Sequence, residues 1–165
     1  MHRYPSVTSL PGHQRGMALI VSLIFLLLMT LIGISSMQNA SLQEKMAGGV
    51  KFRNESFQVA EAALRAGENA VAVSTFTLAA CTTVAACAPP PDSTAMTGAG
   101  SGSNVTWVAV TGTQGFYGVQ NIGTTLAPIN APTGCTSAST TLYRITAVGF
   151  SGPSRSVVES VYGKC

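Results

Sequence analysis

From Gly16 to Gln43 the chain carries no Asp, Glu, Lys, Arg or His. Within that stretch Met17–Met37 reads MALIVSLIFLLLMTLIGISSM, and only Ser22, Thr30, Ser35 and Ser36 interrupt it with hydroxyls. As a helix this segment spans ~31 Å, matching the ~30 Å hydrocarbon core of a bilayer. A core helix of a soluble domain of that length needs a polar face, and none is present. The sequence therefore predicts a membrane helix.

The preceding residues, 1–16, are short and polar, with Arg3 and Arg15 and no acid. They have the make-up of the positive front of an export signal, but the apolar block is longer than the ~7–15 residues of an ordinary signal core. The charge rule alone does not orient the helix, because Lys45, Lys51 and Arg53 beyond it outnumber the two leader arginines. The cysteines do. All four (Cys81, Cys87, Cys135 and Cys165) follow the helix, an even number that suits an oxidising compartment. The expected topology is single-pass, N-inside, with the remainder outside the cytoplasm.

From Glu44 to about Phe76 the pattern stays helical but becomes amphipathic. Val50, Phe57, Ala60, Leu64, Gly67 and Val71 recur mostly at spacings of three and four, which predicts one buried stripe. Glu61 and Arg65 have the favourable i,i+4 order of an ion pair. No proline falls between Pro11 and Pro89, so the two stretches can form one rod of ~90 Å, with Gly48-Gly49 its weak joint at about 1 kcal/mol per glycine.

After residue 77 the only charges are Asp92, Arg144, Arg155, Glu159 and Lys164. Gly, Ser and Thr dominate, and Pro89-Pro90-Pro91 with the Gly/Ser run 98–103 mark a loop. Strand-like runs follow at 105–110, 116–122, 142–150 and 156–162, the last two flanking a hairpin turn at Ser151-Gly152-Pro153-Ser154. On Leu142–Val148, Tyr143, Ile145 and Ala147 share one face and Arg144 and Thr146 the other. The expected class is α+β: a long N-terminal helix, membrane-spanning then amphipathic, packed against a small antiparallel sheet.

Composition narrows the chemistry. Charged residues are 9% and the net charge is +3, too slight for a nucleic-acid surface. Both histidines, His2 and His13, precede the apolar helix. No nucleophile motif and few acids leave little catalytic equipment, so an enzyme is not expected, nor a cofactor. A zinc site lacks C-x-x-C, and a calcium site lacks carboxylates, Asp92 and Glu159 being far apart in sequence. Trp107, Phe116 and Tyr117 read as core or interface packing.

The junction Gln14-Arg15-Gly16-Met17, followed by the apolar helix, resembles a type IV prepilin leader. QRGMALIVSLIFLLLMTLIGISSMQNASLQEKMAG at 14–48 and FRNESFQVAEAALRAGE at 52–68 are similar to PilX-type minor pilins, with weaker similarity at 142–150 and 157–163. The resemblance implies a leader at 1–16, an apolar assembly helix at 17–43, its amphipathic continuation at 44–76 and a disulfide-stapled β head at 77–165. It implies cleavage after Gly16 by a prepilin peptidase and methylation of the new N-terminus at Met17. It also implies storage in the bacterial inner membrane and then a place at or near the tip of a surface pilus. There the subunit joins other minor pilins, the major pilin and a tip adhesin, primes assembly and serves twitching motility and adhesion.

Two features depart from that family. Most pilins carry glutamate five residues after the cut, where this chain has Val21, and many carry a rod proline that is absent here. Val21, Glu61 and Arg65 are the candidate assembly residues. The four cysteines allow three pairings. Cys81–Cys87 as a tight local loop is the favoured one, with Cys135–Cys165 tying back the C-terminus as pilin heads often do. The rival readings are a type II secretion minor pseudopilin and a single-pass anchored periplasmic binding module.

Overall fold

A computed structural model describes residues 15–129 and 139–165. The leader before Arg15, both histidines and Cys135 lie outside the described residues. The chain divides into two compact units, up to Met46 and from Ala47 onward, and one helix, α1 (Arg15–Ala72), contributes to both.

In the N-terminal unit every large apolar side chain from Met17 to Met37 is exposed, between 46% and 78%. Two of the segment's four hydroxyls bond within the helix: Ser22 donates to the Leu19 carbonyl (2.9 Å) and Thr30 to that of Leu27 (2.8 Å). A helix with its backbone bonded internally and these two hydroxyls turned onto its own carbonyls suits hydrocarbon surroundings.

The C-terminal unit is α+β. After α1 come a short helix α2 (Val84–Cys87) and a 3-10 turn (Pro91–Thr94). Five antiparallel strands then form one sheet in sequence order: β1 (Gly100–Ser101), β2 (Thr106–Ala109), β3 (Gly115–Thr125), β4 (Thr140–Ser151) and β5 (Ser154–Lys164). The four strand-like runs of the sequence correspond to β2–β5, and only two-residue β1 carries no readable pattern. The β4–β5 turn is Gly152-Pro153, closed by the pair Ser151↔Ser154. Gly152 there has φ +51°, a conformation that favours glycine.

Alternation along the strands gives the sheet two working faces. Tyr143, Ile145, Ala147 and Gly149 of β4 turn toward α1, where Tyr143 and Ile145 form one core cluster with Val71. Val148, on the opposite face, packs with Met96, Val105 and Trp107 beneath the segment that carries α2 and the 3-10 turn. Thr146, on this second face with Arg144, is buried. The segment between the helix and β2 is a cover for the sheet's second face, which sequence pattern alone reads as loop.

The helix meets the sheet through small residues. Ser56, Ala60, Ala63 and Val71 are fully buried and Gly67 is buried too, at spacings of four, three, four and four. This corrects the expected stripe: Val50 is 59% and Phe57 47% exposed, while Ala60, Gly67 and Val71 are retained. Bulky residues cannot occupy the contact because the backbones approach too closely. A Cβ on Gly149 would lie 2.3 Å from both the Ser56 carbonyl oxygen and the Ala60 nitrogen, and one on Gly67 would lie 2.7 Å from Ile145 Cγ2.

Polar bonds flank this contact. Ser56 and Ser156 hydroxyls meet at 2.8 Å, Ser151 donates to Glu55 (2.7 Å) and Ser160 to Glu68 (2.8 Å). The last turn of α1 contains no basic residue, but Lys164 of β5 supplies the cation, donating to the carbonyls of Val73 (2.6 Å) and Phe76 (3.1 Å).

Gly149→Ala is expected to destabilise the C-terminal unit by about 3 kcal/mol or more, since the obstructing atoms are helix backbone. Gly98→Ala, which meets nothing within 4 Å, serves as control. Thermal unfolding of both variants in detergent, followed by circular dichroism, checks this; equal midpoints would refute the close approach.

Candidate functional site

The largest chemically distinctive surface is the apolar half of α1. Met17, Val21, Phe25 and Met29 line one shallow apolar groove along it. Gly16 and Met17 lie in the first helical turn, both exposed, and among the described residues nothing beyond the adjoining helix backbone comes within 4 Å of where a Gly16 Cβ would stand. Val21 is 46% exposed on the same groove. A continuous exposed apolar surface of this extent is stable only against lipid or other apolar helices.

Glu61 and Arg65 are both exposed on α1, away from the buried stripe. The expected ion pair between them is not formed among the described residues. The i,i+4 pair on this helix is Lys51–Glu55 at 3.8 Å instead. Glu55 is thus engaged twice, by Lys51 and by Ser151. Exposed pairs of this kind contribute well under 1 kcal/mol, so Glu61 and Arg65 are not there for fold stability.

At the other end of the unit, Cys81 and Cys87 form the disulfide favoured for them, their Cα atoms 5.4 Å apart. Thr83 caps α2 inside this loop, accepting from the Ala86 nitrogen (3.1 Å). The loop is held to the sheet by side chains that donate to its carbonyls. Gln120 donates to Ala86 (2.7 Å) and Ala88 (2.9 Å), Asn104 to Ala88 (2.8 Å) and Ala85 (3.3 Å), and Arg144 to Cys87. Cys165 is also disulfide-bonded; its expected partner, Cys135, is outside the described residues.

The remaining head acids have structural partners. Asp92 accepts from Trp107 Nε1 (2.9 Å) and the Ser103 nitrogen (3.3 Å), while Glu159 accepts from Arg144 (3.1 Å) and Thr146 (3.4 Å). Trp107 is 3% exposed, and Phe116 packs edge-on against Phe150 at 5.9 Å. Sequence reasoning missed the roles of Asn104, Gln120 and Arg144. A polar residue on a strand face normally reads as solvated, and no local signal shows that a distant loop covers it.

Comparison with known families gives one similarity, and it falls on this helix. Residues 15–65 match the family model described as PilX N-terminal. Over those residues the chain is similar to the N-terminal segment of PilX-type pilins. No curated protein and no solved structure gave a significant match. The PilX match covers the exposed apolar half of α1 together with Ser56, Ala60 and Ala63 of the stripe beneath the head. The PilX N-terminal family suggests a type IV pilus minor pilin: a structural class of protein that interacts with other pilus components and whose apolar helix fits membrane anchoring.

Removing the Cys81–Cys87 bond by the double change Cys81→Ser and Cys87→Ser is expected to lower stability by about 2 kcal/mol, the loop-closure value for so short a loop. The change should leave the α1–sheet contact intact. Denaturant unfolding of the variant, with amide exchange at Gly149 as the local readout, tests both parts.

Proposed function

We propose that this PilX-type pilin is a minor subunit that helps to prime a type IV pilus and is incorporated at or near its tip. A prepilin peptidase cuts after Gly16, and Met17 becomes a methylated N-terminus. Before assembly the chain is held in the inner membrane, N-inside, with its head in the periplasm. The carrying observation is that α1 exposes every large apolar side chain of Met17–Met37. With the basic leader removed, this segment exchanges lipid contacts for contacts with other pilin helices at little cost in apolar exposure.

Val21 supports the tip position. A carboxylate there would need a partner, since an unpaired charge in hydrocarbon costs several kcal/mol. The usual partner is a neighbouring subunit's N-terminal ammonium, and a subunit with no neighbour ahead of it has none to offer. Exposed Glu61 and Arg65 are proposed as contacts to neighbouring minor pilins, and other pilins and a tip adhesin as the partners.

The experiment that tests the function is N-terminal sequencing of the protein recovered from sheared surface fibres. The expected product begins at methylated Met17; recovery only from the inner membrane with the leader attached would overturn the reading. Val21→Glu is expected to move the subunit from tip fractions into the shaft. If parent and variant both stay at the tip, Val21 does not set the position. Exchanging the charges by Glu61→Arg and Arg65→Glu should change the unfolding free energy by less than about 0.5 kcal/mol while reducing the number of surface pili. Unchanged piliation would return both residues to a solvated face.

A further inference from the structure

The two edges of the sheet are built differently. One ends in β1, only two residues long. The other is β5, 11 residues with no proline and no shift of register against β4 from Ser151↔Ser154 to Thr141↔Lys164. Sheets commonly blunt an open edge with short strands, prolines or bulges, and β5 uses none of the three.

The hydrogen-bond phase of β5 follows from its neighbour. Phe150 donates its backbone N–H to the Gln114 carbonyl (3.1 Å), on the β3 side of β4. Phe150 and its β5 partner Arg155 therefore exchange no bonds. The phase alternates along an antiparallel pair, so Arg155, Val157 and Glu159 aim their N–H and C=O groups away from β4. Among the described residues nothing bonds to these outward groups.

A cleft of about 380 Å³ lies against this edge, between Arg155, Ser156 and Val157 of β5 and Arg53, Asn54 and Phe57 of α1. Its lining holds two arginines and no acid. Arg53 is exposed and forms no ion pair among the described residues. Arg155 turns its guanidinium to the Met96 carbonyl (2.9 Å) and the Phe150 ring (5.0 Å), neither of which cancels its charge. The acids near them in sequence are engaged elsewhere: Glu55 holds Lys51 and Ser151, and Glu159 holds Arg144 and Thr146. Phe57 and Val157 add exposed apolar surface, 47% and 40% accessible.

An open edge accepts another extended backbone, whose main-chain bonds carry affinity and whose side chains carry specificity. Beside two uncompensated arginines a carboxylate is favoured and a cation is repelled. A lipid phosphate would answer the charge but leave the backbone groups unpaired, so the edge favours a peptide. We propose that an extended acidic segment of a partner protein adds to the sheet along Arg155–Glu159, placing a carboxylate at Arg53 and apolar side chains beside Phe57 and Val157. This inference concerns the head alone and depends on neither leader cleavage nor a place in a fibre.

The test uses the full chain in nonionic detergent and a peptide of about six residues, a usual strand length, alternating valine with glutamate. Hydrogen exchange at the Arg155, Val157 and Glu159 amides is expected to slow about tenfold or more. The Ser156 and Val158 amides, which face β4, keep their rates. Val157→Pro removes an outward donor and no bond to β4, and should abolish the slowing at Arg155 and Glu159. Arg53→Glu, at an exposed position, should weaken peptide binding about tenfold with an unchanged unfolding midpoint, and covers the case in which the proline variant does not fold. No slowing at the three amides overturns the proposal. So does equal slowing with lysine in place of glutamate or with phosphatidylglycerol in the micelles, or undiminished binding by a folded Arg53→Glu variant.

Discussion

Contact between the backbone of one helix and the backbone of one strand governs the folded unit. Around Gly149 there is no room for even one carbon atom between β4 and the Ser56–Ala60 turn of α1. That approach requires small residues on both sides, and the helix provides Ser56, Ala60, Ala63 and Gly67 in a single stripe. It also fixes the order of everything adjacent. Once Gly149 is seated, Ser156 is opposite Ser56, Glu55 reaches Ser151, and Glu68 reaches Ser160. Large fully buried side chains such as Ile145 and Val71 then add ~1.5–3 kcal/mol each at the far end of the same interface.

The opposite face of the sheet is solved by different chemistry. Its cover holds little secondary structure and almost no charge, so it offers mainly main-chain carbonyls. The sheet and the β1–β2 turn meet them with donors: amides from Gln120 and Asn104, a guanidinium from Arg144, and another from Arg155 to Met96 (2.9 Å). Donors that reach buried carbonyls replace lost water and make a segment with no ladder of its own adhere in one register.

Much of this was legible in the sequence. Twenty-one residues without a charge leave few alternatives to a membrane helix, and period-two alternation with a Gly-Pro turn located β3, β4 and β5 within a few residues. The PilX match and the apolar helix rest on the same N-terminal residues, so the candidate assembly surface was readable from local pattern. The buried stripe was only half readable. A hydropathy rule favours Val50 and Phe57 over Ser56 and Ala63, whereas close packing rewards small size over apolar character. The two-sided use of the sheet was not readable at all. Gln120 looks solvated until a loop more than thirty residues away in sequence is known to accept its bonds.

Trp107 is the chain's sole tryptophan, and it sits under the cover with its indole nitrogen on Asp92. Its emission therefore reports on one layer alone. Detachment of the cover brings water and quencher to the indole. A single wavelength thus reports loosening of the head, without any added label.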